Sequence, residues 1–176
     1  EKVFKTALEL DPGYATGHQY YSELLQAMRR FGEAEKELDL ALTYNPLSVT
    51  MRFQRSWLKY HQGYYSAALN DIVFINEMEP TASWLPFYCH YHIGHFDKAL
   101  KDVQRIVSIE SSNSIDTLAI RSIYSAYGMD GVLRWLIDYH SDRAQPEHLI
   151  IARNYMLLEE PDKAIDWLEH GFDNQD

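Results

Sequence analysis

Apolar residues recur along this chain in sets of three that straddle a small residue, one three positions before it and one four after. Phe31, Ala34 and Leu38 form the first set, and Tyr65, Ala68 and Ile72 the second. Phe96, Ala99 and Val103 form the third, and Pro161, Ala164 and Leu168 the last. That spacing puts all three members on one face of an α-helix. The alanines lie 34, 31 and 65 residues apart, and the long gap leaves room for one more unit, with Gly131 or Val132 at its small position. Pro12, Pro46 and Pro80 also repeat every 34 residues, and each marks a helix stop. Asp11 and Asn45 suit the positions before proline, which avoid the helical region. A small residue at the centre of each set lets two helices approach closely, and Gly32 and Gly63 are expected at the turns between them.

A period of this length means stacked units, each too small to bury its own apolar face. The pattern predicts a lone helix over 1–10, then helix pairs at 13–28 with 32–44, 48–62 with 65–78, 81–93 with 96–109, 113–127 with 130–140, and 145–158 with 161–172. The expected organisation is all-α, a single array over 1–176. Its units are the end of a preceding repeat at 1–12 and then 13–46, 47–80, 81–111, 112–144 and 145–173. The third unit is three residues short, so irregular stacking is expected around 80–96. The chain opens inside a unit and ends just after a helix, which reads as a segment of a longer protein.

Arg30-Phe31-Gly32-Glu33-Ala34 through Ala41-Leu42-Thr43-Tyr44-Asn45-Pro46 resembles a tetratricopeptide repeat (TPR), as does Gly63-Tyr64-Tyr65-Ser66-Ala67-Ala68 through Pro80. Phe4 to Pro12 is similar to the end of a preceding one. The large-small pair of the family's first helix departs here to Tyr21-Ser22 and Arg55-Ser56. Ile151-Ala152-Arg153-Asn154-Tyr155, leading to Glu159 through Glu169, resembles the last repeat of a bacterial subgroup. In that subgroup the array follows a winged-helix, adenylate-cyclase-like or kinase domain. The resemblance implies a right-handed superhelical solenoid of antiparallel helix pairs. It also implies a protein-interaction or scaffolding role within a bacterial multidomain regulator. An alternative is an intramolecular or dimerisation scaffold for an effector domain.

Composition narrows the partners. Apolar residues at 46% are ample for a core, while a formal charge of −10 argues against direct nucleic-acid contact. No apolar run approaches the roughly 18 residues of a membrane span. A single cysteine, Cys89, cannot form an internal disulfide, which fits a reducing, cytoplasmic compartment. A protein or peptide partner is expected, with a homodimer as a further possibility.

In the resembled family the first helix of each pair lines the concave surface. This implies inward positions for Gln19, Tyr20, Glu23 and Gln26, then Phe53, Trp57, Tyr60 and His61, then Trp84, Tyr88, Tyr91 and His92. Aromatic side chains give large contact area at low entropy cost, so Phe53, Trp57, Tyr60, His61, Trp84, Tyr88, Tyr91, Tyr20 and Glu23 are the expected partner-binding residues. The competing reading is that the rings fill gaps between helices. Family members that grip a C-terminal carboxylate use cations here, but Gln19, Glu23, Gln54, Trp57, Thr81 and Leu85 offer none. No catalytic, cofactor or metal site is expected, and so no enzyme. His92 and His95 could share a helix face but His90 could not join them, and Cys89 and His90 point about 100° apart. Arg29-Arg30 is too short for a nucleic-acid patch.

Overall fold

The computed structural model describes residues 1–78, 83–110 and 114–173. They form α1 (Lys2–Leu10), α2 (Ala15–Ala27), α3 (Phe31–Tyr44), α4 (Val49–His61), α5 (Tyr65–Met78), α6 (Leu85–Ile93), α7 (Phe96–Glu110), α8 (Ser114–Ser141), α9 (His148–Leu157) and α10 (Pro161–Asp173). Gly128 interrupts α8 with φ 65° and ψ −158°. The chain divides into two compact units, residues 1–102 and 103–176, with the boundary inside α7. Pro80 and Thr81 lie outside the described residues, as does part of the 80–96 segment expected to stack irregularly.

One turn builds the hairpins. After α2, Arg29 takes φ 58°; after α4 and α6, Gly63 and Gly94 take φ 81°; after α9, Glu159 takes φ 59°. In each, the next residue's N–H reaches back five positions: Arg30 to Leu25, Tyr64 to Lys59, His95 to His90 and Glu160 to Tyr155, at 2.8–3.0 Å. This left-handed end satisfies carbonyls that the stopped helix leaves open. The turn residue always stands five before a buried alanine, Ala34, Ala68, Ala99 or Ala164, so the alanine period is also a turn period. Gly32, expected at the first turn, is instead in the opening turn of α3, and Arg29 does its work.

In residues 1–102 the first core joins Tyr21, Leu25, Ala34, Leu38, Ala41, Leu42, Met51 and Leu58, with Phe4 and Leu8 of α1 against it. A second core joins Ala68, Ile72, Ile75, Leu85 and Cys89. The Ser48 hydroxyl caps α4 by accepting from the Met51 N–H, which satisfies one of its open donors. In residues 103–176 the buried set includes Ile106, Ile120, Leu133, Leu136 and Ile151. There Gly131 is the position of close approach, because a Cβ on it would lie 2.5 Å from the Tyr127 Cβ. Val132, its alternative, is buried as an ordinary core residue.

The last helix corrects one expectation. Ala164 is buried, but Leu168 is 47% exposed. Gly171 takes the inner position instead, pressed so close to His148 that a Cβ would sit 2.9 Å from it. The buried arc of α10 therefore runs through Ala164, Trp167 and Gly171, and Leu168 falls beyond its edge.

Candidate functional site

Apart from Tyr20 on α2, the aromatic residues singled out from sequence lie on α4 and at or within α6 of the first unit, and Tyr65 of α5 joins them. Along α4, Trp57 meets Phe53 edge-on at 6.3 Å and Tyr60 edge-on at 5.5 Å, and stacks with His61 at 5.8 Å. Tyr60 then bridges to α5 and α6, touching Tyr65 at 5.5 Å and Tyr88 at 6.2 Å. Its hydroxyl lies 3.1 Å from His92 Nε2. His92 in turn lies flat on Tyr65, with ring centroids 4.6 Å apart. Loss of water to these ring contacts holds the His92 imidazole below its ordinary pKa, although the residue keeps an exposed side.

These rings have one side in the core and one toward solvent. Phe53, Trp57, Tyr60 and Tyr65 pack on the Ala68, Ile72 and Leu85 core while remaining half-buried. Tyr91 is half-buried, and His61 and His92 are exposed. Edge-to-face pairing fixes the rings at little entropic cost, so the face is rigid before anything binds.

Tyr20 and Glu23 lie on α2, both exposed. Glu23 is tied to α4 by the Gln54 amide, which donates to its carboxylate. A cleft of about 570 Å³ opens beside this pair, lined by Gln26, Ala27, Arg29, Phe31 and His61. His61 thus connects cleft and ring series, since its ring also stacks with Trp57 and meets Tyr60 edge-on. Tyr65 and Arg29 are members of this surface that sequence reasoning did not pick out, and Gln54 was placed inward but not counted among the partner-binding residues. Tyr65 carried only a core signal, and Arg29 gave no sign of a left-handed turn.

Two expected members are not available to a partner. Tyr88 is fully buried, and Trp84 is 8% exposed. The reason is the shortness of α6. It begins only at Leu85, and Leu85 through Cys89 are all buried, so this helix reaches the surface only from His90 onward. Trp84 and Tyr88 support the face from beneath, with Trp84 edge-on to Phe87 and Phe87 packed on Tyr88.

The histidines near this site have separate duties. His90 pairs with Asp102 at 2.6 Å, while His92 belongs to the ring series, so the two are not gathered as metal ligands. Burial, and then the Asp102 carboxylate, push the Cys89 thiol up to about 12, which leaves no thiolate for nucleophilic chemistry at neutral pH. In the second unit, Glu110, His140 and Glu147 each place a ligand atom within 4.8 Å of the others. Arg143 already pairs with both of those carboxylates, so a cation occupies the position a metal would need. Among the described residues no helix is long and apolar enough to cross a membrane.

No protein-family model and no curated protein matches the chain. Among solved structures the chain is similar to YrrB, a TPR protein with an unusual peptide-binding site, at 16% sequence identity and a TM-score of 0.54. The match covers 97% of this chain and 91% of that one. At that identity the likeness shows the fold alone: all-α, TPR-like helix pairs.

Proposed function

We propose that this chain is a protein–protein interaction module that binds a peptide segment or helix of a partner across the aromatic face of α4 and α6. Phe53, Trp57, Tyr60, His61 and Tyr91 make the contact, and Tyr20 and Glu23 border it on α2. The observation that carries this reading is the series of half-buried rings, anchored below and open above. Such rings are the residue types that dominate interface energies. The cleft beside His61 gives one partner side chain a place to enter. YrrB, which shares the fold, is a protein with a peptide-binding site, and this supports a peptide as the ligand class.

On this reading the 13–46, 47–80, 81–111, 112–144 and 145–173 segments act as successive repeats of one cytoplasmic array. The 151–169 segment, with its resemblance to a bacterial subgroup, supports a place in a multidomain regulator. The chain does no chemistry of its own. A second reading has an observation in its favour: the rings also pack on one another, and Tyr88 lies wholly inside. In that reading the face is structural, and it holds an effector domain rather than a separate partner.

Selection of a random peptide library against the full chain tests the proposal. Enriched peptides are expected to lose at least tenfold in affinity for Trp57→Ser and Tyr91→Ser variants whose circular dichroism matches the parent. Binding that ignores both substitutions would overturn the aromatic site.

A further inference from the structure

Helix α10 has two apolar faces, and among the described residues only one is covered. Ala164, Trp167 and Gly171 turn toward α9, where His148 meets both the Trp167 ring, at 5.6 Å, and the Gly171 backbone. Ile165, Leu168 and Phe172 continue the apolar arc around the helix but are 51%, 47% and 85% exposed. Their three- and four-residue spacing makes them a stripe along one side. Beside that stripe, a cleft of about 960 Å³ is lined by Pro146, Leu149, Leu168 and Phe172. Leu149 is itself more than half exposed. Large apolar side chains grouped in this way mark an interaction surface rather than scattered surface residues.

Charge says what the surface fits. Immediately past the apolar stripe runs a second stripe, Asp162, Asp166, Glu169 and Asp173, at the same helical spacing and exposed throughout. The only lysine or arginine in α10 is Lys163, and it is engaged with Glu160 at 2.7 Å. Two copies meeting through this face would bring the acidic stripes together, which disfavours self-association. We propose that the α9–α10 face is a second docking surface, and that its occupant is an amphipathic helix with an apolar stripe flanked by lysine or arginine. The partner's apolar stripe lies in the cleft against Leu149, Leu168 and Phe172, and its basic flank lies over the acidic stripe, the helix-in-groove arrangement. This surface is independent of the aromatic face, and either could exist without the other.

The test uses the full chain and two synthetic 18-residue helical peptides with identical leucine stripes, one flanked by lysine and the other by glutamate. Fluorescence anisotropy is expected to show binding of the lysine peptide alone, weakening as salt rises. Leu168→Ser with Phe172→Ser should reduce its affinity at least tenfold, and so should Asp166→Asn with Glu169→Gln. All four positions are exposed, so the fold is retained, and circular dichroism checks this. Equal binding of both peptides, no binding of either, or binding indifferent to both pairs of substitutions would overturn the proposal. Peptide-free chain that sediments as a concentration-dependent dimer, broken by Phe172→Ser, would assign the face to a second copy instead.

Discussion

In residues 1–102 the buried side chains of Asp71 and His18 are held by close polar partners. Asp71 receives Arg55 at 2.6 Å and Arg52 at 3.4 Å, and His18 lies between Glu37 and the Pro12 carbonyl. In residues 103–176 the imidazole of His140 is completely enclosed, 3.4 Å from Glu147 and near the Arg143 guanidinium. Burial, and next Arg143, hold His140 down to about 4, and burial raises Glu147. Apolar surface divides the opposite way. On α4 and α5 of the first unit Phe53, Trp57, Tyr60 and Tyr65 are half-buried against one another and the core, while the second unit leaves Ile165, Leu168 and Phe172 open. The shared hairpin turn therefore leaves free what each unit buries. Binding through aromatic rings is expected on the first unit, and acid sensitivity in the second.

The strongest way to break that division is to compare Tyr88 with Trp57. Tyr88→Ala removes a fully enclosed ring and is expected to lower stability by about 3–5 kcal/mol. Trp57→Ala removes a half-buried ring, and the loss should be about 1–2 kcal/mol from area and ring pairing. Urea denaturation of the two variants decides the matter. Equal losses would make the aromatic face an extension of the core and favour the structural reading over the binding one.

Next in size is the pH response. A histidine whose folded pKa is depressed leaves the folded chain with fewer protons than the unfolded one. Stability is therefore intact above the ordinary value of 6.5 and falls as pH drops from there to about 4. For His140 the loss over that window is about 3 kcal/mol. Glu147 works in the other direction: its raised pKa lets the folded chain take up a proton first, which offsets part of the loss near the acid end. Denaturation midpoints measured from pH 7 to 4.5 should slope downward, and His140→Leu should remove most of the slope. A full slope remaining in that variant would place the acid sensitivity in the first unit, at His92, whose pKa is also depressed.

The parts of this structure legible in the sequence are those fixed by periodic burial. Ala34, Ala68, Ala99 and Ala164 could be found because a helix pair tolerates only a small residue at closest approach, and that demand repeats at each hairpin. Helix phase at the ends of elements could not be read. Leu168 looked interior by spacing alone, but the contact of Gly171 with His148 rotates the buried arc toward Trp167. Trp84 and Tyr88 looked like surface anchors because the resembled family turns the first helix of each pair toward the concave surface, whereas Trp84 through Cys89 are buried on every side here. The ring series on α4 was visible as Phe53, Trp57 and Tyr60, four and three residues apart. Its closure by Tyr65 and His92 was not, because that depends on how α5 and α6 meet.

The turns allow the finest comparison, since four of them share a geometry and differ in residue. Gly63 and Gly94 have open space where a Cβ would go, so Gly→Ala at either costs only the left-handed backbone, about 1 kcal/mol. Gly128 also has open space, but its ψ of −158° lies in a region essentially restricted to glycine. Gly128→Ala should cost more, about 1–3 kcal/mol. Arg29 and Glu159 already occupy left-handed positions with side chains attached, so the reverse change relieves strain there. Arg29→Gly and Glu159→Gly are each expected to raise stability by about 0.5–1 kcal/mol, read as a shift in urea midpoint at constant slope. The two gains should match, one in each unit, because the same backbone bond pattern holds both turns. A gain at Glu159 without one at Arg29 would mean that Arg29 contributes through its side chain, as a wall of the cleft beside His61.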